Sequence, residues 1–174
     1  MVRPSPTPAE MPGRLVIFGA AQGMGRWLAE QVFAQLATGN YFDVLGPQIA
    51  AGRSFLPDED TTPGASPVVV LSYGLWQRHF GGATSLVGQP ITLNGRPFTV
   101  IGVTGEGFRG TATLGGPDLW VPMSMYREVL TGQALDFFTS RRGLFYEAVA
   151  RLKPGISLDA ARAELLEDAY VLRM

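Results

Sequence analysis

The chain has 174 residues, 14 basic and 15 acidic side chains, a net charge of -1 and no cysteine. That length supplies a core for one domain or two small ones, and 46% hydrophobic residues exclude wholesale disorder. The near-neutral charge gives no footprint for nucleic acid, and the lack of cysteine excludes disulfides, thiolate catalysis and cysteine metal sites. A single histidine, His79, excludes a multi-histidine metal site. No apolar run reaches membrane-spanning length. With 22 Gly and 13 Pro, many turns and short elements are expected.

Residues 1–12 carry Pro4, Pro6, Pro8 and Pro12 and read as a disordered leader. The apolar run Leu15 to Ala21 follows this Pro-rich head without a basic segment, so it does not read as a secretion signal. Arg14 to Phe18 read as a short strand, and Gln22 to Arg26 as a Gly-rich turn. Glu30 to Ala37 fit helix or strand on periodicity alone. Asn40 to Leu45 put Tyr41, Phe42 and Leu45 on one helical face, with Gly46-Pro47 as the stop. Residues 57–67 (PDEDTTPGASP) are a loop by composition.

Val68 to Leu71 form a β-branched run typical of a buried strand. Ser72 is a suitable N-cap for a helix over Tyr73 to Phe80, which Gly81-Gly82 end. Two strand-like runs, Ile91 to Leu93 and Pro97 to Val103, flank Asn94-Gly95. That dipeptide supplies the two positive φ angles of a type I′ turn, so a hairpin is expected. Residues 104–117 are Gly-rich loop, and Asp118 to Pro122 suit a short strand. Phe145 to Leu152 alternate as a strand, Lys153-Pro154-Gly155 turn, and Ser157 caps a helix with Leu158, Ala161 and Leu165 on one face. Helices and strands mix without a βαβ rhythm. The expected class is α+β, with mixed or antiparallel sheets and a few short helices.

Candidate sites are few. Leu15 to Arg26 contain Gly19, Gly23 and Gly25 at the Gly-x-x-x-Gly-x-Gly spacing of a short-chain dehydrogenase, where glycines admit an NAD(P) pyrophosphate. Phe18 stands where that family usually has Thr. No ribose-reading strand follows, and the one lysine, Lys153, has Val149 and not Tyr four residues before it. A Gly-rich turn between two strands, Arg14 to Phe18 and Glu30 to Leu36, is the preferred reading. An NAD(P)-binding fragment is kept as the alternative. His79 near a helix end suits the helix dipole better than general-base work. Asp58-Glu59-Asp60 read as a solvated acidic turn, since they lack the spacing of a calcium loop. Arg141-Arg142 read as a solvated loop end. Trp27, Trp76, Trp120, Tyr41, Phe42 and Phe145 stand at core-like positions and do not interleave with basic residues.

Seven segments then fall in order: AQLATGNYFDVLG (34–46), AAGRSFLPDED (50–60), PVVVLSYGLWQRHFGG (67–82), LVGQPITLNGRPFTVIGV (86–103), GFRGT (107–111), DLWVPMSM (118–125) and RLKPGISLDAARAEL (151–165). Together they resemble the periplasmic core domain of MacB-type ABC transporter permeases, closest to the large orphan permeases common in acidobacteria. The resemblance implies an extracytoplasmic α+β domain over residues 13–174, with a porter-like part and a second, mostly β part. It implies a periplasmic place as part of a membrane protein, and no catalytic, cofactor-binding or metal-binding residues. It implies a transmembrane permease as partner, an ABC ATPase through it, and a periplasmic protein beyond. The domain would couple ATP-driven motion to conformational change outside the membrane, in export or signalling. The family pattern has a membrane helix on either side of the domain and further sequence after the ARAEL helix. The expectation is therefore a fragment without its membrane helices: a piece of a transporter, a truncated reading frame with an incomplete fold, or a remnant with no function.

Overall fold

The computed structural model describes residues 15–17, 32–112, 115–130, 135 and 149–171, with backbone alone for 15–17 and 165–171. The Pro-rich leader, Gly19, Gly23, Gly25, Trp27, Arg141-Arg142 and Phe145 lie outside the described residues.

Among the described residues seven strands form one sheet: β1 (Leu15–Ile17), β2 (Val32–Ala37), β3 (Ile49–Gly52), β4 (Val68–Leu71), β5 (Pro90–Leu93), β6 (Arg96–Thr104) and β7 (Leu119–Pro122). Their order is β1-β2-β7-β4-β6-β3, with β5 also paired to β6. The sheet is mixed. β2 runs parallel to β7 and β4 parallel to β6, while β7 and β4 are antiparallel. The helices are short: α1 (Tyr41–Leu45), α2 (Tyr73–Phe80) and α3 (Tyr126–Val129), with α4 (Leu158–Val171) longer. The α+β expectation is met.

Local sequence explains most of this scaffold. Val68 to Leu71 sit mid-sheet, and Val69, Val70 and Leu71 are fully buried because both faces are covered. The Ser72 hydroxyl accepts the Leu75 N–H at 3.1 Å and starts α2, and Gly81 in the left-handed conformation ends it. Asn94 and Gly95 take φ of 49° and 80°, so β5 and β6 form the expected hairpin. β2 settles the ambiguity over residues 30–37 as a strand, because it pairs with strands on both sides.

The pairing of β6 slips by one residue at Ile101, between the Val69–Val100 and Val70–Gly102 pairs. This bulge brings Val103 to the same face as Val100, with Ile101 on the other. Gly52 pairs with Gly102 beside it. A Cβ on Gly102 would overlap the Arg53 carbonyl, so the backbones meet only because that side chain is absent.

The sheet carries two cores. On one face, Val69, Leu71, Phe98, Val100, Val103, Leu119 and Val121 pack under Leu75 and Trp76 of α2 and under Met125 and Val129. On the other face, Val70, Ile101 and Trp120 meet Phe42 of α1 and Phe55 from the loop after β3.

One expectation fails in part. Of the strand read over Phe145 to Leu152, the described end, 149–152, has no ladder. The alternation there is not matched by a pairing partner, and these exposed residues bury no face that would fix a register. The turn after it and the Ser157-capped helix are present, and the helix continues to Val171.

Candidate functional site

The acidic side chains are the first place to look for chemistry. Asp58-Glu59-Asp60 form a single 3₁₀ turn over Pro57–Asp60. Only Asp58 is solvated as expected. The Glu59 carboxylate takes both Arg53 guanidinium nitrogens, at 2.8 and 2.7 Å, and the Leu56 N–H at 2.8 Å. The hydrogen bond from Arg53 is the main reason its carboxyl is held below the usual carboxylate range, with burial opposing. Asp60 accepts the Gly39 N–H at 3.1 Å and the Ser124 N–H at 2.6 Å. The reading of a solvated acidic turn is therefore corrected. Two of the three carboxylates are tie points, because Gly39 and Ser124, distant in sequence, arrive with unpaired N–H groups that need an acceptor.

Asp118, which sequence reasoning passed over as a strand start, does the same work. Its carboxylate accepts the Phe33 N–H at 3.0 Å and Arg78 at 2.7 Å. Its backbone N–H reaches Phe33 O and its carbonyl takes the Ser72 N–H. It thus joins β2, α2 and β7. No local spacing could reveal this, since Phe33 lies 85 residues away.

On the aromatic face, Phe42 stands edge-on to Tyr41, Phe55 and Trp120, with centroids 5.4, 5.2 and 5.6 Å away. The Trp120 indole N–H donates to Gln35 Oε1 at 3.1 Å, and the Tyr41 hydroxyl reaches the same oxygen at 3.4 Å. Trp120, Trp76 and Phe42 are buried as the sequence suggested. His79 lies in the last turn of α2, as expected.

Two buried side-chain oxygens have no hydrogen-bond partner among the described residues, Thr104 Oγ1 and Glu128 Oε2. They sit on different elements, β6 and α3. Among the described residues no three His, Asp or Glu groups gather as a metal site would need, and no helix is long and apolar enough to cross a membrane. The arrangement uses its polar groups to hold loops against a sheet.

β1 pairs antiparallel with β2, Leu15 opposite Ala34. This pairing fits the expected reading of two strands, Arg14 to Phe18 and Glu30 to Leu36, whereas a dinucleotide-binding unit would require parallel strands there. The comparisons agree. The family profile for the MacB-like periplasmic core domain matches residues 11–167. The probable syringafactin export ATP-binding/permease protein SyfD of Pseudomonas syringae pv. tomato is 37% identical over 113 residues. That alignment covers 62% of this chain and 16% of that protein, so the chain spans about a sixth of its relative. The crystal structure of the periplasmic region of MacB from Actinobacillus actinomycetemcomitans superposes with a TM-score of 0.61 at 21% identity, covering 93% of this chain and 63% of that one. A domain of a putative permease protein from Porphyromonas gingivalis gives 0.50 at 19% identity, covering 91% and 70%. None of these comparisons supports a dehydrogenase. The chain belongs to the MacB-like periplasmic core domain family, the extracytoplasmic domain of ABC transporter permeases.

Proposed function

We propose that this domain is non-catalytic and couples movement of a transmembrane permease, driven by an ABC ATPase, to conformational change outside the membrane. The observation that carries the reading is the family match over residues 11–167. The relative named for export joins an ATP-binding and a permease part in one chain, which supports export over signalling. The polar side chains support a structural role too, since Glu59, Asp60, Asp118 and Gln35 are engaged in bonds that hold the fold. We take residues 13–174 as one such domain, with a periplasmic protein as a further partner.

The test is made in the complete permease with its ATPase, reconstituted in vesicles. Residues 32–171 are replaced by a flexible linker of equal span. ATP hydrolysis is expected to persist while vectorial transport falls at least tenfold. Transport at the unmodified rate would remove the coupling role.

A further inference from the structure

The Asn94-Gly95 turn that joins β5 and β6 carries a chemistry as well as a conformation. In an Asn-Gly pair the glycine nitrogen can attack the asparagine side-chain carbonyl carbon, because no Cβ on the second residue stands in the way. A bond forms between Gly95 N and Asn94 Cγ. The Cγ–Nδ2 bond breaks, and Nδ2 leaves as ammonia with the proton from Gly95 N. Water then opens the succinimide ring to aspartate or isoaspartate. One neutral amide becomes one carboxylate, with water as the co-reactant. The other asparagine, Asn40, precedes Tyr41, whose side chain hinders the same closure.

The fold holds this reaction in check. The turn fixes the backbone on both sides of the reacting bond, with φ of 49° at Asn94 and 80° at Gly95. The leaving nitrogen is held as well. Asn94 Nδ2 donates to the Val129 carbonyl at 2.7 Å, across 35 residues. Val129 is the last residue of α3, where carbonyls lack a partner inside the helix. An amide suits that place, since it brings a donor without a charge. Val129 and Leu130 are buried in the aliphatic core together with Leu93, the residue before the turn. Ring closure requires the Asn94 amide to turn away from Val129, which the docked α3 opposes.

We propose that Asn94-Gly95 is a modification site, a deamidation site gated by the docking of α3. Conversion proceeds in the fraction of time that α3 is open. The product then keeps it open. An aspartate carboxylate has no hydrogen to donate at neutral pH, so two oxygens face each other where an N–H met a carbonyl. Isoaspartate also adds a methylene to the backbone of a two-residue turn, whose length sets the register of β5 on β6. The turn thereby records an opening of α3 as a covalent change.

The test uses the whole 174-residue chain at mildly alkaline pH, with conversion at Asn94 read by peptide mass spectrometry. The folded parent should convert at least about tenfold more slowly than the same chain unfolded in urea. Val129→Ala, which loosens α3, should raise the folded rate at least about fivefold. Val70→Ala removes the same atoms from the aromatic face and should leave the rate at the parent level. Asn94→Asp places the product in the turn. It should speed exchange of the Leu130 N–H, which bonds Tyr126 O at 2.8 Å, at least about fivefold. Equal rates in the folded and unfolded chain overturn the inference. So does an unchanged rate in Val129→Ala, or equal acceleration by both valine variants, which would make the gate global unfolding. Full protection of Leu130 in Asn94→Asp overturns it too. If Val129→Ala does not fold, the folded-to-unfolded ratio and the Leu130 exchange decide. None of these readouts depends on the transport reading.

Discussion

The two faces of the sheet are assembled by different means. The aliphatic face is built from strands and from α2, which follows β4 directly through a local cap. The aromatic face is built from what loops deliver. Phe42 arrives on a five-residue helix, Phe55 on the loop after β3 and Phe108 on the loop after β6. Loops have no ladder to place them, so side-chain acceptors do it. Asp60 fixes Gly39, just ahead of α1, and the Arg53–Glu59 pair brackets Phe55. One face is thus held by apolar burial and backbone pairing. The other is held by burial plus a few long-range polar ties, and should fail when those ties fail.

The largest effect is expected where a single side chain anchors the loop-built face. Trp120 is fully buried, contacts Phe42 and Phe108, and donates to Gln35. Trp120→Ala should cost about 3–5 kcal/mol in urea unfolding, and Trp120→Phe less, since it keeps the ring contacts. Leu71→Ala on the aliphatic side should cost about 2–5 kcal/mol. The difference lies in where the damage spreads. Hydrogen exchange in residues 39–46 should rise in Trp120→Ala and stay at the parent level in Leu71→Ala. Equal rises in both would erase the distinction between the faces.

The same contrast explains what the sequence reveals. Val68 to Leu71, the Ser72 cap and the Asn94-Gly95 turn are written in adjacent residues, so periodicity and turn chemistry find them. The strand state of β2 was not legible in that way, since Glu30 to Ala37 fit helix or strand alike until pairing with β1 and β7 decides. The roles of Glu59, Asp60 and Asp118 were hidden. An acidic turn looks the same in sequence whether water or a distant N–H satisfies it, and Asp60 meets Ser124 from 64 residues away. The bulge at Ile101 was hidden too, because an apolar run on β6 alternates equally well in either register. The family resemblance reached the architecture through seven ordered segments, where no single residue could.

An intermediate effect is expected from the polar tie that serves α1. Asp60→Ala leaves the Gly39 and Ser124 N–H groups without their charged acceptor, which should cost about 2–3 kcal/mol. The sharper reading is a double-mutant cycle. Asp60 and Phe42 act on the same loop-borne unit, so Asp60→Ala and Phe42→Ala should be sub-additive by at least about 0.5 kcal/mol. Asp60→Ala with Leu71→Ala should add within about 0.5 kcal/mol. Additivity in both cycles would mean that Asp60 does not act through α1.

The smallest effect is expected at the Arg53–Glu59 pair, and its pH dependence has a definite sign. The Glu59 carboxyl titrates below its ordinary value in the folded chain, chiefly because Arg53 hydrogen-bonds the charged form. A folded value below the unfolded one makes the pair stabilising above the unfolded value, about 4.3. That contribution is lost as pH falls through the folded value. Because Arg53 is largely solvent-exposed, the whole contribution should stay under about 1 kcal/mol. Thermal midpoints of the parent and Glu59→Gln should differ by a constant small gap from about pH 7 to 5, which closes only as pH falls through the lowered folded value. The absence of any gap at pH 7 would assign the stabilisation to the Leu56 N–H bond, which glutamine can also accept, and the loop carrying Phe55 would then be held by a neutral cap in place of an ion pair.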